Sequence, residues 1–202
     1  WSHILSELQI IFAVPPQRIL ELPNRWLPEA QLNIVQSCFE RSQGEVALVR
    51  GLADGSLEHW SRDQLKARTL RVAAALQAAG IGPGDAVAIA MPMTAESVVI
   101  YLAIVWVGAA VVSIADSFSA EEIRTRLDIS ETTLVFTQDH IVRGSKTIPL
   151  YPRLVEAGSQ SVVVLPADGA LSLAVREQDQ SYADFLDRAD SVDCFQREFF
   201  FP

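Results

Sequence analysis

The spacing of apolar and polar residues changes period several times along the chain, and each change predicts an element. Glu45 to Arg50 and Leu57 to Trp60 form two short strand patterns joined across Gly51 to Gly55. From Ser61 the period lengthens. Leu65, Thr69, Val72, Leu76 and Ala79 recur as the inward stripe of a helix, with Arg62, Lys66 and Arg71 toward water. Ser61 and Gln64 have the spacing of a capping box, and Gly80 ends the helix. After Gly82-Pro83-Gly84 turns the chain, Asp85 to Met91 is an apolar strand. A second capping box, Ser119 with Glu122, opens a helix to about Leu127. Thr132 to Thr137 and Ser161 to Leu165 are further strands, and Ala30 to Phe39 is a helix. Strands and helices alternate, and the strands are too apolar for a sheet with one wet face. The expectation is an α/β fold, a mostly parallel sheet with helices on both faces.

From Ser97 to Ala115 no residue is charged, a run long enough to span a bilayer. Gly108 interrupts it, the residues beyond turn β-branched, and Thr94 stands where an N-cap belongs. The run therefore parses as a buried helix from Ala95 to Val107 and a buried strand from Ala109 to Ile114. A soluble protein with no transmembrane segment is expected, and no secretory signal is visible at the N-terminus.

Composition narrows the class. The 202 residues are 50% hydrophobic and 20% charged, which excludes a disordered, collagen-like or low-complexity chain. Asp and Glu outnumber Lys and Arg 25 to 16, for a net charge of −9, so no nucleic-acid partner is expected. The acidity gathers after Pro166, where Asp179, Asp184, Asp187, Asp190 and Asp193 interleave with Tyr182, Phe185 and Leu186, as on the solvated face of a surface helix. Two cysteines, Cys38 and Cys194, make no disulfide framework and fit an intracellular compartment. Trp1 and the Phe199-Phe200-Phe201-Pro202 end are unusual termini and read as the edges of a piece.

Motifs of chemistry are few. Gly80-Ile81-Gly82-Pro83-Gly84 has a helix before it and a strand after, the reverse of a phosphate loop, so it is a helix-to-strand turn. No nucleophile elbow occurs, and His3, His59 and His140 have no metal-ligand spacing. Cys38 is expected as a core thiol, His59 as structural, and Met91 and Met93 as packing. Arg143-Gly144-Ser145-Lys146, in the loop after the Thr132–Thr137 strand, sets two cations three apart around a glycine and a serine. Such a pair can grip a phosphate, although spacing alone favours an ordinary solvated loop.

A resemblance shifts that balance. Trp60-Ser61-Arg62-Asp63-Gln64-Leu65 through Leu76, then Gly80 to Ile89, resembles the N-terminal lobe of the AMP-forming acyl-activating enzymes. The likeness continues through Met91-Pro92-Met93, Val107-Gly108-Ala109 and Phe118-Ser119-Ala120-Glu121-Glu122, and covers roughly residues 20 to 165. Trp26-Leu27-Pro28, Leu32-Asn33-Ile34 and Cys38 are similar to the acetyl-CoA synthetase and plant-type branch.

The resemblance implies three stretches: an N-terminal helical extension (1–44), the α/β subdomain of the lobe (45–165), and an acidic helical connector (166–202) leading toward a phosphate loop. It implies an acid-thiol ligase that uses ATP, Mg2+ and coenzyme A on a small carboxylic acid, in a peroxisomal or cytoplasmic setting. The family's phosphate loop, aromatic-Thr-Glu segment, ribose Asp, hinge and C-terminal lysine do not occur in this sequence, so no catalytic residue is assigned and the chain alone is expected to be inactive. What carries over is a pair of cations three apart before Ile-Pro, near the 3′-phosphate of coenzyme A. Here they are Arg143 and Lys146, before Thr147-Ile148-Pro149. A glycine pair that precedes the family's Phe-Ser is Asp116-Ser117 in this sequence, an acidic side chain on the approach of the cofactor. The alternative expectation is a short non-enzymatic binding module, self-associating through Phe199–Phe201.

Overall fold

The computed structural model describes residues 1–40, 45–52 and 54–191. Cys194, Asp193 and the Phe199–Phe201 run, on which three of the expectations above rest, lie outside the described residues, as does the Asp190 side chain. The first forty residues hold a short helix α1 (Ser2–Glu7), a two-stranded antiparallel hairpin of β1 (Leu20–Glu21) and β2 (Arg25–Trp26), and α2 (Ile34–Phe39). Strands β3 (Val46–Gly51) and β4 (Leu57–Ser61) pair antiparallel, as their alternation predicts.

Next come α3 (Arg62–Ala78), β5 (Ala86–Ala90), α4 (Ala95–Trp106), β6 (Ala110–Ser113), α5 (Ala120–Ser130) and β7 (Leu134–Gln138). An antiparallel hairpin follows, β8 (His140–Arg143) with β9 (Lys146–Pro149). The chain then runs through α6 (Tyr151–Ala157), β10 (Ser161–Leu165), β11 (Gln180–Ser181) and α7 (Tyr182–Asp187), and into a single 3₁₀ turn, Arg188–Ser191.

Five strands form one parallel sheet in the order β11-β10-β7-β5-β6. Successive side chains of a strand face opposite sides, and that alternation divides the core. Val87, Ile89, Phe136 and Val163 pack with Val72 and Leu76 of α3 and Ile100 and Ile104 of α4, and Phe185 of α7 meets Phe136 edge-on at 5.3 Å. Ala88, Ala90, Val135, Val162 and Val164 face the other way, onto Ile123 and Leu127 of α5 and Leu154 of α6. The doubly covered parallel sheet expected from the apolar strands is therefore present.

Local signals held where they were densest. Both expected capping boxes form, and Thr94 with Ser97 adds a third at α4. At α3 the Ser61 hydroxyl accepts from the Gln64 amide at 3.2 Å, and Gln64 Oε1 accepts from the Ser61 amide at 2.8 Å. Ser61→Ala is expected to destabilise the fold by about 1 kcal/mol, and Ser61→Gly by much less, as shifts in the urea midpoint would show. Gly84, at φ +94°, takes the left-handed backbone that the turn into β5 requires.

Several expectations are corrected. Helix α2 begins at Ile34, not Ala30, because Asn33 is its N-cap: Asn33 Oδ1 accepts from the Val35 amide at 3.1 Å. The buried Asn33 also donates through Nδ2 to the Val105 and Trp106 carbonyls, tying the start of α2 to the end of α4. In so short a helix Val35 and Phe39 define the buried face, which turns Cys38 outward; it is exposed, not a core thiol.

Met91 packs as expected, but Met93 is 89% exposed, since the chain has left the sheet by then. Strand β6 is only partly buried because it is the edge of the sheet, paired with β5 alone. Asp179 is buried, not solvated, for reasons given in the Discussion. No helix among the described residues is long and apolar enough to cross a membrane.

Candidate functional site

In a parallel sheet the loops after the strands gather at one edge, where α/β proteins place their ligands. Here the loops after β5, β6, β7 and β10 meet at that edge, and one residue joins two of them. Asp139 follows β7 and is buried, with its side chain wholly shielded. Its Oδ1 accepts from the amides of His140 (2.8 Å) and Ala167 (2.9 Å), and its Oδ2 from the amide (2.9 Å) and hydroxyl (2.7 Å) of Ser172. Its own amide donates to the Leu165 carbonyl, and its carbonyl accepts from Leu150 and Tyr151 at the start of α6. The loop after β10 and the start of the β8–β9 hairpin thus hang on one carboxylate, and the first turn of α6 on the same residue's carbonyl. Burial alone would raise its pKa; the Ser172 hydroxyl and the three amides outweigh that and hold it below 3.8.

Ser172, His140 and Asp139 lie close together, yet they do not form a hydrolytic triad. The Ser172 hydroxyl gives its proton to Asp139, and His140 Nδ1 is the ring nitrogen near both, 3.0 Å from Asp139 Oδ1 and 3.4 Å from Ser172 Oγ. A triad needs opposite ring nitrogens for acid and serine.

The anchored hairpin carries the two cations singled out in the sequence. Arg143 and Lys146 are not in an open loop: they are register partners on β8 and β9, across a two-residue turn with Gly144 at φ +62°. Directly opposed residues project to the same face, so the two charges sit side by side. Lys146 is exposed and makes no ion pair among the described residues. Arg143 Nη2 lies 2.6 Å from Asp116 Oδ1, in the loop after β6. Arg153 of α6 braces that loop, donating to the carbonyls of Asp116 and Phe118 at 2.9 Å each. The Arg126 guanidinium stacks over the Phe118 ring at 3.9 Å.

Beside this cluster runs an open apolar groove of about 640 Å3, walled by Met91, Met93, Tyr101, Ile114, Ala115 and Phe118. The arrangement is suited to an anion next to an apolar arm. Among the described residues no group of three or more His, Cys, Asp or Glu side chains is placed to hold a metal.

Asp139 and Arg153 have no counterpart in the sequence reading. Pro152, at the start of α6, was the available signal for that helix; nothing in the local pattern distinguishes a carboxylate that will be buried.

Residues 35–193 match the family model described as AMP-binding enzyme. The chain belongs to that family. It is 43% identical, over 94% of its length, to "Probable acyl-activating enzyme 18, peroxisomal" of Arabidopsis thaliana, and 42% identical over 94% to "Hexanoyl-CoA synthase" of Cannabis sativa. The chain spans 28% of the length of each of these relatives. Among solved structures, the acetoacetyl-CoA synthetase from Streptomyces lividans superposes with a TM-score of 0.82 at 22% identity, over 98% of this chain and 32% of that one. At that identity the likeness establishes the fold. The acyl-activating resemblance drawn from Trp60 to Glu122 is borne out, and with it the adenylate-forming N-terminal architecture of this AMP-binding family member.

Proposed function

We propose that this chain is the N-terminal part of an AMP-forming acyl-CoA synthetase, and that Arg143 and Lys146 hold the 3′-phosphate of coenzyme A. The overall reaction joins a carboxylic acid to coenzyme A while ATP is cleaved to AMP and pyrophosphate. In this reading ATP and Mg2+ are bound by parts of the longer protein beyond these 202 residues, and the chain by itself binds coenzyme A without catalysing the ligation. The names of the Arabidopsis and Cannabis relatives support the substrate class, a small carboxylic acid, and the label of the former supports a peroxisomal setting.

The observation that carries the coenzyme A assignment is the register pair itself. Two cations opposed on a hairpin and 55% side-chain exposure at Arg143 fit a phosphate monoester, and the apolar groove lined by Ala115 and Phe118, on either side of Asp116, offers room for the uncharged end of the cofactor. Arginine offers a fork of donors and lysine a point charge, so the pair combines orientation with attraction. In this reading the hairpin contributes binding and positioning.

The test uses the full-length protein. Arg143→Ala with Lys146→Ala is expected to raise the KM for coenzyme A by roughly tenfold or more, the range for losing charge-assisted hydrogen bonds, with the KM for ATP unchanged. If both KM values stay at their starting level, the assignment fails.

A further inference from the structure

We propose that Asp116 sets the ligand specificity of this site: its carboxylate is a built-in counter-ion to Arg143 that weakens the preference for a ligand bearing a phosphate monoester over the same ligand without it. The inference rests on Arg143 and Lys146 being the phosphate contact. It goes further in naming the residue that tunes how much that phosphate is worth.

The Asp116–Arg143 pair differs from an ordinary surface ion pair in being held at both ends. Asp116 exposes only 14% of its side chain. The Arg153 guanidinium clamps the backbone carbonyls of residues 116 and 118, so the loop cannot swing the carboxylate away without breaking two hydrogen bonds. On the other side, Arg143 stands on a hairpin whose base is tied down by Asp139. Exposed ion pairs contribute little because their long side chains lose freedom on pairing; here the short, 14%-exposed Asp116 is held in place and only the Arg143 side chain gives up freedom.

The electrostatic consequence follows by counting charges. Arg143 and Lys146 offer two positive charges, and Asp116 cancels one at 2.6 Å. A phosphate arriving on the guanidinium meets a fixed like charge within a few ångströms. The same carboxylate occupies only one of the five N–H donors of Arg143, so it does not block the site. It reduces the attraction felt by an anion and leaves neutral contacts untouched.

The opposite role would have Asp116 orient the guanidinium and so help binding. Asp116→Asn separates the two, because asparagine keeps an oxygen to accept from Nη2 while losing the charge. Coenzyme A and dephospho-coenzyme A are the probes, titrated by calorimetry into the full-length protein. For Asp116→Asn, coenzyme A is expected to bind about five- to tenfold tighter, as for removal of one like charge at short range in a wet site. Dephospho-coenzyme A is expected to change less than about twofold. The salt dependence of coenzyme A binding should steepen, and the gain should vanish in the Arg143→Ala background. Asp116→Ser, with a small neutral side chain, should act in the same direction and guards against an effect peculiar to asparagine.

A preference ratio that stays level or falls in Asp116→Asn, while Arg143→Ala and Lys146→Ala still weaken coenzyme A, overturns the counter-ion role and leaves the phosphate assignment standing. If Arg143→Ala and Lys146→Ala do not alter the ratio of the two probes, the phosphate assignment falls, and the role of Asp116 with it.

Discussion

Asp139→Ala is expected to cost about 3–5 kcal/mol of folding stability, the range for stranding buried partners of a charged group. Three amides and one hydroxyl lose their acceptor at once, at the start of the β8–β9 hairpin and in the loop after β10. Asn is expected to recover only part of the loss. Its single oxygen can serve the Oδ1 pair and the Ser172 hydroxyl can turn to accept from its NH2, but that NH2 also faces the Ser172 amide, a donor against a donor. Urea unfolding of the three proteins checks the order wild type, Asn, Ala. A loss below about 1 kcal/mol for Ala would show that the loops are held by other contacts.

The same carboxylate predicts a pH dependence of definite sign. Its pKa in the folded protein lies below 3.8, so the folded state favours the ionised form. Its contribution is fully present above the unfolded value, near 3.8, and is lost as pH falls through the lower folded value. The gap in stability between wild type and Asp139→Asn should therefore hold level from neutrality down to about pH 4 and narrow below it. Taking the difference between the two proteins cancels the other carboxylates that titrate in that range.

Asp179→Ala is expected to cost roughly 2–4 kcal/mol. Asp179 is buried and accepts from the Tyr151 hydroxyl (2.6 Å), Arg176 Nε (2.6 Å) and Nη2 (3.1 Å), and the Val162 amide (2.9 Å). Arg176 in turn donates to the Ser159 carbonyl, and its amide to the Tyr151 hydroxyl. This network fastens β11 to the edge of the sheet beside β10, the step that lets α7 insert Phe185 into the core. The Arg176 side chain is 26% exposed, so its charge can reach water once Asp179 is gone, which keeps the cost below that of a wholly buried pair.

Tyr151→Phe removes the donor to Asp179 and the acceptor of the Arg176 amide and should cost about 1–2 kcal/mol. Burial, then the hydrogen bond to Asp179, raises the Tyr151 pKa, so the phenol remains a proton donor. Loss of β11 should also appear as faster amide exchange at Gln180 and Ser181. If Asp179→Ala changes neither the urea midpoint nor that exchange, the network does not hold the strand.

Legibility in the sequence followed the range of the interaction. The capping boxes at Ser61 and Ser119 and the cap at Thr94 depend on residues three apart, and all formed. The near-continuous apolar runs of β5, β7 and β10 are equally local, and they identified a sheet buried on both faces. Where a position's burial depends on distant packing, the reading slipped. Met93 and Cys38 are apolar in type but stand outside the core, and β6 is apolar up to Ser113 yet half open as an edge strand. Asp179 is the converse. Its acidic neighbours made it look like part of a wet helix face, while its partner Tyr151 is 28 residues away.

The sequence by itself determined the succession of elements from β3 to β7, the parallel α/β class, the family and the three-residue spacing of Arg143 and Lys146, because helical periods, caps and turns are set by residues a few positions apart. Only the tertiary structure decided that those cations share the face of a hairpin, that Asp116, 27 residues before Arg143, pairs with it, and that Asp139 gathers donors as far as 33 residues along the chain. A buried polar group is stable only where the fold brings its partners. Where those partners arrive depends on how the strands stack into a sheet, which no local pattern records.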